Sequence, residues 1–181
     1  MGGRIQPYRS LLDGRLRRYL AVDLRQTPLV HVIARAEHLP LKENQFDLVL
    51  CTQVLEYVPE LRQMLAEIHR VLKPGGMLLL SVPAMFPADS EQDLWRFTPG
   101  SLRLLLSAFR NVEIRGEGSS IHGLFRTIAL WIACFARPSI LATLLRWTVV
   151  PVLNLSAIGL AWAIPTANDQ FAANFSAFAT K

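Results

Sequence analysis

Short apolar runs alternate with helical patterns of apolar residues along the first 120 residues of the chain. Residues 46–52 (FDLVLCT) are apolar at nearly every position after the acidic second one, as in a strand covered on both faces, and residues 77–82 (MLLLSV) are similar. Residues 19–24, 31–36 and 111–116 are further strand candidates. These runs predict the strands of one sheet.

Two helices are predicted between these strands. Leucine and isoleucine recur at helical spacing from Leu61 to Leu72, and a Pro-Gly-Gly sequence then ends the helix. Thr98 and Pro99 have the residue types of an N-cap and a first helical position, and an amphipathic stretch follows them. Strands that alternate with helices predict an α/β domain with a mostly parallel sheet.

The last third of the chain has a different pattern. Residues 147–168 carry no charge and are numerous enough to cross a bilayer, although Pro151 and Pro165 interrupt them. Residues 171–181 alternate between apolar and mainly polar positions, as in a strand, and a single crossing would separate them from the sheet. We therefore predict one domain over residues 1–181, with an apolar helical insert at 121–165 before a closing strand at 171–181. Tryptophans and arginines within the insert favour contact with a membrane surface, and a true span is the alternative.

Charge and cysteine content narrow the classes of function. The net charge of +5 would suit nucleic acid or an anionic membrane, but the arginines are dispersed, and we expect no nucleic-acid partner. Cys51 and Cys134 are far apart in apolar surroundings, which is typical of reduced cysteines and gives no metal-ligand spacing. The N-terminus lacks the apolar core of a secretion signal. The sequence thus predicts a cytoplasmic protein without a metal site, or one peripheral to the inner face of the membrane.

A candidate ligand site follows from the order of the strands. Ligands of such sheets bind beyond the carboxyl ends of the central strands. Asp23 lies at such an end, 20 positions after Gly3, a separation typical of a nucleotide-binding glycine loop and the acid that binds the ribose. The alternative is that Asp23 only caps a turn. We favour ribose binding, because the spacing matches.

The ordered set of motifs resembles a known family. YLAVDL, ARAEHLPLKENQFDLVLCTQVLEYV, a helix ending in RVLKPGG and the strand MLLLSVP are similar, in this order, to class I S-adenosylmethionine-dependent methyltransferases with a type 11-like methyltransferase domain. The resemblance covers residues 2 to about 118. It implies a Rossmann-like sheet that is mostly parallel with an antiparallel last strand, S-adenosylmethionine as cofactor and no metal.

The resemblance also implies roles for individual residues. The glycines would surround the methionine part of the cofactor, and Asp23 would bind the ribose hydroxyls. Leu24 would pack on the adenine, and Ala36 and Glu37 would meet its edge. The end of the strand at residues 46–52 would lie under the methyl donor. The residues implied in cofactor binding are Gly2, Gly3, Asp23, Leu24, Ala36, Glu37, Cys51, Thr52 and Gln53.

The chain departs from the family pattern at two places. Arg35 occupies the position of an acid that accepts the adenine amino group, and arginine cannot accept a hydrogen bond, so Glu37 or a backbone carbonyl is expected to serve instead. The strand and acid that precede the family's first glycines are absent. We therefore expect the first, central strand of the sheet to be missing and the N-terminus to be shortened within the glycine motif.

Few residues are candidates for catalysis itself. Glu56 and Tyr57 follow the strand at residues 46–52 and are candidate bases, although packing at the helix entrance is an alternative for Tyr57. Arg96, in the segment DSEQDLWRFTP, is expected to pair either with an acidic group of a substrate or with Asp93.

The sequence thus favours transfer of a methyl group to a small-molecule acceptor of hydrophobic or lipid-linked character. Three alternatives compete with this hypothesis. They are a truncated, non-catalytic methyltransferase-like protein, a nicotinamide-dependent dehydrogenase, and a membrane-interaction module. The dehydrogenase is disfavoured because the Leu-Pro after Glu37 and the RVLKPGG sequence belong to the methyltransferase pattern.

Overall fold

The structure, a computed structural model, describes residues 1–12, 14, 16–135, 140–164 and 171–181. Its strands are β1 (Val22–Asp23), β2 (Val32–Ile33), β3 (Phe46–Thr52), β4 (Leu72–Pro83), β5 (Arg110–Glu117) and β6 (Asn174–Thr180). Its helices are α1 (Arg9–Leu12), α2 (Leu61–Val71), α3 (Pro99–Leu105), α4 (Ser120–Phe135) and α5 (Ile140–Ala163), with a short 3-10 helix at Leu55–Tyr57.

The predicted elements are present, and most have nearly the predicted bounds. β3 agrees with the prediction at both ends. β1 and β2 are only two residues long each, whereas the sequence predicts longer strands there. The start of α3 is confirmed in detail, because the Thr98 side chain accepts a hydrogen bond from the Ser101 amide and the Ser101 hydroxyl accepts one from the Thr98 amide. This reciprocal capping satisfies backbone donors that a helix start leaves unpaired.

The strands form a mostly parallel arrangement with an antiparallel closing strand, as predicted. β1 pairs in parallel with β2, and a second sheet has the order β3-β4-β6-β5. β3 and β4 are parallel, whereas β6 runs antiparallel to both β4 and β5. Among the described residues no strand lies between β1 and β3.

The first three residues occupy the space between β1 and β3. The amino group of Met1 donates a hydrogen bond to the Leu50 carbonyl of β3, and the Gly3 amide donates one to the Val22 carbonyl of β1 at 3.0 Å. The two sheets are therefore connected through this short segment, which brings the glycines to the carboxyl ends of both strands.

The core lies on one face of the larger sheet. Alternate residues of β4 and β6 are buried there, and α2 adds Met64, Leu65, Ile68 and Val71. The expectation that residues 46–52 and 77–82 are covered on both faces is wrong, because only alternate residues are buried and Met77 is 42% exposed. The described helices that pack on this sheet are α2, which contacts β4, and α3, which contacts β5.

α4 and α5 lie between β5 and β6 in the chain and pack against each other. Within α5, residues Thr143–Ala163 have the length and mean hydropathy (1.5) of a membrane-spanning segment, and almost none of this stretch is buried in the protein. The described part of the insert predicted at residues 121–165 contains these two helices. Residues 136–139 and 165 of the predicted insert lie outside the described residues.

Candidate functional site

A cavity of about 790 Å³ opens at the carboxyl ends of β1, β2 and β3. It is therefore at the edge of the sheet where ligands of parallel α/β sheets bind. Of the predicted cofactor residues, those that line it are Gly2, Asp23, Leu24, Ala36, Glu37, Thr52 and Gln53. Tyr57 and three residues of the later chain, Asp89, Ser90 and Gln92, line it as well.

The two glycines allow the N-terminal segment to approach the strands closely. A Cβ on Gly2, whose φ is +70°, would lie 2.6 Å from the Val54 side chain, and a Cβ on Gly3 would lie 2.7 Å from that of Ala21. Gly2 lines the cavity, whereas Gly3 packs behind it on β1. A side chain at either position would displace the segment from the strands.

Asp23 caps a turn and also lies in the cavity lining, where ribose binding is predicted for it. Its Oδ1 accepts a hydrogen bond from the Arg25 amide and its Oδ2 accepts one from the Arg4 amide, each at 3.0 Å. The carboxylate therefore caps a turn and fastens the N-terminal segment to β1. Since each carboxylate oxygen can accept more than one hydrogen bond, Asp23 keeps acceptor capacity toward the cavity that it lines.

Glu37 is a buried acid at the far side of the cavity. Only 5% of it is exposed, and its Oε1 accepts a hydrogen bond from Arg35 Nη2 at 2.8 Å. The arginine that replaces the expected acid therefore pairs with the acid two residues later. Leu24, which is 63% exposed, adds an apolar surface to this part of the cavity.

Residues at the end of β3 differ in their surroundings, since some line the cavity and one is buried in the core. Thr52 and Gln53 line the cavity, but Cys51 is fully buried in the core, because successive side chains of a strand point to opposite faces. Burial raises the pKa of the Cys51 thiol to about 11. The structure thus does not bring Cys51 or Gly3 into the lining, unlike the other predicted cofactor residues.

Gln53 is held at the cavity edge in a left-handed backbone conformation, with φ of 52°. Its amide donates a hydrogen bond to the Ser81 carbonyl at 2.9 Å, and its side-chain amide donates one to Ser81 Oγ at 3.2 Å. Ser81 in turn donates to Glu117 Oε1 at 3.1 Å. These bonds join the carboxyl ends of β3, β4 and β5 beside the cavity.

Tyr57 and Asp89 form a hydrogen-bonded pair in the cavity wall. The tyrosine hydroxyl donates to Asp89 Oδ2 at 2.7 Å. Burial, together with this hydrogen bond and the negative charge of Asp89, raises the pKa of Tyr57. Sequence reasoning missed Asp89, because nothing in the local pattern connects it with a residue 32 positions earlier.

Glu56 lies behind this pair rather than in the cavity lining. It is 3% exposed, and its Oε2 has no hydrogen-bond partner among the described residues. Burial raises the pKa of Glu56 to about 7, and the nearby Asp93 and Asp89 add to the rise while Arg96 opposes it. Glu56 is thus in a different environment from its neighbour Tyr57.

Arg96 holds the segment of residues 86–97, which we call the strap, in place. Its guanidinium donates to both carboxylate oxygens of Asp93, at 2.5 and 2.6 Å, and to the Phe86 carbonyl at 2.7 Å. Trp95 donates its indole N–H to the Val58 carbonyl at 2.9 Å. Of the two partners considered for Arg96, the structure shows Asp93, and Arg96 lines a smaller cavity of about 360 Å³ instead of the larger one.

No group of three residues that could hold a metal ion occurs in the described parts of the chain.

Comparisons with known proteins give a family model that matches part of the chain and solved structures with a similar fold. Residues 8–80 match the family model described as a methyltransferase domain. The fold is similar to a SAM-dependent methyltransferase from Archaeoglobus fulgidus, with a TM-score of 0.61 at 15% identity, covering 99% of this chain and 83% of that chain. It is also similar to 1,6-didemethyltoxoflavin-N1-methyltransferase of Burkholderia thailandensis, with a TM-score of 0.59 at 19% identity, covering 99% and 68%.

Curated relatives match only part of the chain. The human mitochondrial protein named arginine-hydroxylase NDUFAF5 is 42% identical over 69 residues, which are 38% of this chain and 19% of that protein. The ubiquinone/menaquinone biosynthesis C-methyltransferase UbiE of Psychromonas ingrahamii is 40% identical over 97 residues, or 51% and 39% of the two chains. The matches thus span well under two thirds of these relatives.

Proposed function

We propose that this chain, which belongs to the S-adenosylmethionine-dependent methyltransferases, binds S-adenosylmethionine in the 790 Å³ cavity and transfers its methyl group to a small-molecule acceptor. The observation that carries the proposal is the convergence of Gly2, Asp23, Glu37 and Gln53 on one cavity at the carboxyl ends of the strands. The sequence relates these residues to the same cofactor, although they come from four separate parts of the chain.

The residues present fit this cofactor. The cavity volume of about 790 Å³ is in the range of small-molecule sites. Asp23 supplies a carboxylate for a ribose diol, Leu24 an apolar surface and Glu37 a buried acid for the adenine side, while Gly2 leaves space that a side chain would fill.

The chemistry requires little of the protein beyond positioning. Bound S-adenosylmethionine supplies an electrophilic methyl group for an in-line displacement, which depends mainly on the orientation of the acceptor. We assign that orientation to the Tyr57–Asp89 pair, because both residues line the cavity and the Tyr57 oxygen can still accept a hydrogen bond. Where the acceptor must lose a proton, Asp89 receives it, either directly or through the Tyr57 hydroxyl.

The acceptor, in this proposal, is hydrophobic or lipid-linked. Two observations support it. The large exposed apolar surface of α4 and α5 adjoins the strap, because the Arg126 guanidinium of α4 lies 5.7 Å from the centre of the Phe86 ring. The name of the Psychromonas relative refers to ubiquinone and menaquinone, which are lipid-soluble, and we extend that class of acceptor to this chain.

We further propose a cytoplasmic location with contact to the inner face of the membrane through residues 121–165. The support for membrane contact is the same exposed apolar surface of α4 and α5. Fractionation of cells that express a tagged chain tests this location. Recovery in the soluble fraction alone would contradict the membrane contact.

Cofactor binding is tested by isothermal titration calorimetry with S-adenosylmethionine. We expect saturable heat below about 1 mM, and affinity reduced about tenfold or more in Asp23→Asn, because a charged hydrogen-bond acceptor becomes neutral. Asp47→Asn is a matched control, since Asp47 lies at the opposite end of β3 in an exposed pair with Lys73. Absence of heat with millimolar cofactor would refute the proposal.

Methyl transfer is tested separately from binding. Incubation with labelled S-adenosylmethionine and a membrane lipid extract should yield a labelled, solvent-extractable product. Because the human relative is named a hydroxylase, cofactor binding without any labelled product would indicate that this chain uses the methyltransferase fold for another reaction.

A further inference from the structure

The surface of α5 is apolar and exposed along most of its length. Its exposed apolar residues are two to five positions apart and therefore lie on more than one side of the helix. They include Leu144, Trp147, Leu155, Ile158 and Trp162, with exposed fractions from 58% to 89%. A helix with this much exposed apolar surface is not stable facing water, so the surface needs a partner.

α4 continues the same surface. Leu124, Ile128 and Trp131 are exposed at intervals of four and three positions. The described side of α4 that is buried is formed by small residues, Gly123 and Ala129. Gly123 packs on the backbone of Phe171, while α4 and α5 contact each other and leave large apolar side chains exposed.

The charges around the two helices indicate what kind of partner fits. Between Glu117 and Asp169 the chain has three arginines, Arg126, Arg137 and Arg146, and no acidic residue. Arginine and tryptophan among apolar residues are typical of segments at the boundary between lipid headgroups and acyl chains. A basic apolar segment of the sequence without acidic residues therefore matches an anionic bilayer.

The sheet determines how the helices can meet that bilayer. Glu117, the last residue of β5 before the chain enters α4, pairs in the sheet with Asn174 at the start of β6. At the base of the insert, a Cβ on Gly123 of α4 would lie only 1.5 Å from the Phe171 carbonyl oxygen. Both ends of the helical segment are therefore on the same side of any membrane that it enters.

The helix lengths then argue against crossing. A helix of 24 residues, such as α5, is about 36 Å long and would reach across an acyl layer of ~30 Å. The 16 described residues of α4 extend about 24 Å, which is less than the thickness of the acyl layer. Since the chain must return to pair β6 with β4 and β5, neither helix spans the bilayer.

We infer that α4 and α5 form a monotopic membrane anchor, which lies within one leaflet of an anionic bilayer with both of its ends on the side of the sheet. This extends the membrane contact proposed above and does not depend on methyl transfer. The anchor also reaches the candidate site. Arg126 contacts the Phe86 ring of the strap, and Asp89 of the same strap lines the cavity.

The first test is flotation of the full chain with lipid vesicles. We expect the protein to float with vesicles that contain phosphatidylglycerol and to float at least about tenfold less with phosphatidylcholine alone. The double variant Leu155→Asp/Ile158→Asp should lose flotation, because charges replace apolar side chains on the exposed surface of α5. Unchanged flotation of this variant would overturn the inference.

A matched variant controls for a general loss of apolar surface. Ile33→Asp/Leu104→Asp changes two residues that are similarly exposed, at 55% and 63%, but lie outside α4 and α5, and it should float like the unchanged chain. Circular dichroism with thermal unfolding of both double variants reports whether they fold, and calorimetry with S-adenosylmethionine reports cofactor binding separately. A chain that floats but gives no heat with the cofactor supports the anchor and contradicts the proposed function.

The depth and sidedness of the anchor are tested on the bound protein. Lipids brominated on their acyl chains should quench tryptophan emission, and Trp147→Phe/Trp162→Phe should remove most of that quenching. Peptide tags at the two termini should both be cleaved by protease added outside sealed vesicles. Protection of the C-terminal tag would instead show a span. A dimer that does not float, and that the Asp variants dissociate, would identify a second copy as the partner and overturn the inference.

Discussion

Glu56 shows how one buried carboxyl group affects the stability of the protein. The pKa of Glu56 is about 7 in the folded protein, against a usual value of 4.5. The folded state therefore keeps a proton that the unfolded chain loses. The contribution of Glu56 to the free energy of unfolding is greatest below the lower pKa and decreases as the pH rises from about 4.5 to about 7, by up to about 3 kcal/mol.

Glu56→Gln should remove this dependence. Since glutamine does not ionise, the difference in unfolding free energy between the variant and the unchanged chain should grow in the variant's favour as the pH rises from about 5 to 8. Urea unfolding at four pH values measures this difference. Asp47 and Glu67, whose pKa values are lowered by partners other than Glu56, contribute equally to both proteins and cancel. A difference that does not vary with pH would contradict the assignment.

The Tyr57–Asp89 pair allows a test of acceptor orientation. Tyr57→Phe and Asp89→Asn should each lower kcat by about 10- to 100-fold, since each removes one group of the pair. The affinity for S-adenosylmethionine should change little, because the predicted cofactor residues remain. Tyr19→Phe is the control, since Tyr19 does not line the cavity. Equal loss of cofactor affinity and turnover would indicate a structural role instead.

Gly3 is a position where a single methyl group should matter. Its Cβ would lie 2.7 Å from the Ala21 side chain and 3.1 Å from the Val22 amide nitrogen, so the segment must move. Gly3→Ala should cost about 1–3 kcal/mol of unfolding free energy and weaken cofactor binding. Gly159→Ala is the opposite case, because nothing lies within 4 Å and the helix favours alanine. Thermal unfolding and calorimetry of both variants check this contrast.

At the scale of elements, the strap depends on one ion pair. The Asp93 side chain is 4% exposed, and Arg96 supplies its charge partner. Arg96→Met would leave that acid without its charge partner and should cost about 3–5 kcal/mol. Arg115→Met removes an exposed pair with Glu113 and should change stability by less than about 1 kcal/mol. Urea unfolding, with proteolysis of residues 86–97, measures both. Similar effects of the two variants would contradict this role of Arg96.

The elements that the sequence predicts well are those with a local signal. β3, α2 and α3 follow from an apolar run, a helical period and an N-cap, all within one segment. β1 and β2 are shorter than predicted, and among the described strands the side of β1 toward β3 has no partner that would extend the pairing. Coverage of the second sheet face could not be predicted, because it depends on which helices pack there.

At the scale of the whole molecule, the sequence predicts those parts of the candidate site that depend on the spacing of residues along the chain. Gly2, Asp23 and Thr52 meet because glycine loop and strand ends share one edge of the sheet. Cys51 is outside the cavity lining because its side chain is on the buried face of β3. The pairing of Asp89 with Tyr57 depends on how the strap folds back toward the 3-10 helix. Neither is encoded by neighbouring residues, so pattern and spacing alone did not reveal them.

The position of β6 between β4 and β5 also determines the order in which the protein can fold. Helices such as α4 and α5 form within about a microsecond, whereas β5 gains its sheet partner only after a long loop has closed. Until then the edge of β4 is unpaired, and its apolar residues are open to other chains. Early binding of α4 and α5 to a lipid surface would reduce the time that β6 needs to pair with this edge. Vesicles should therefore increase both the refolding rate and the yield of unaggregated protein.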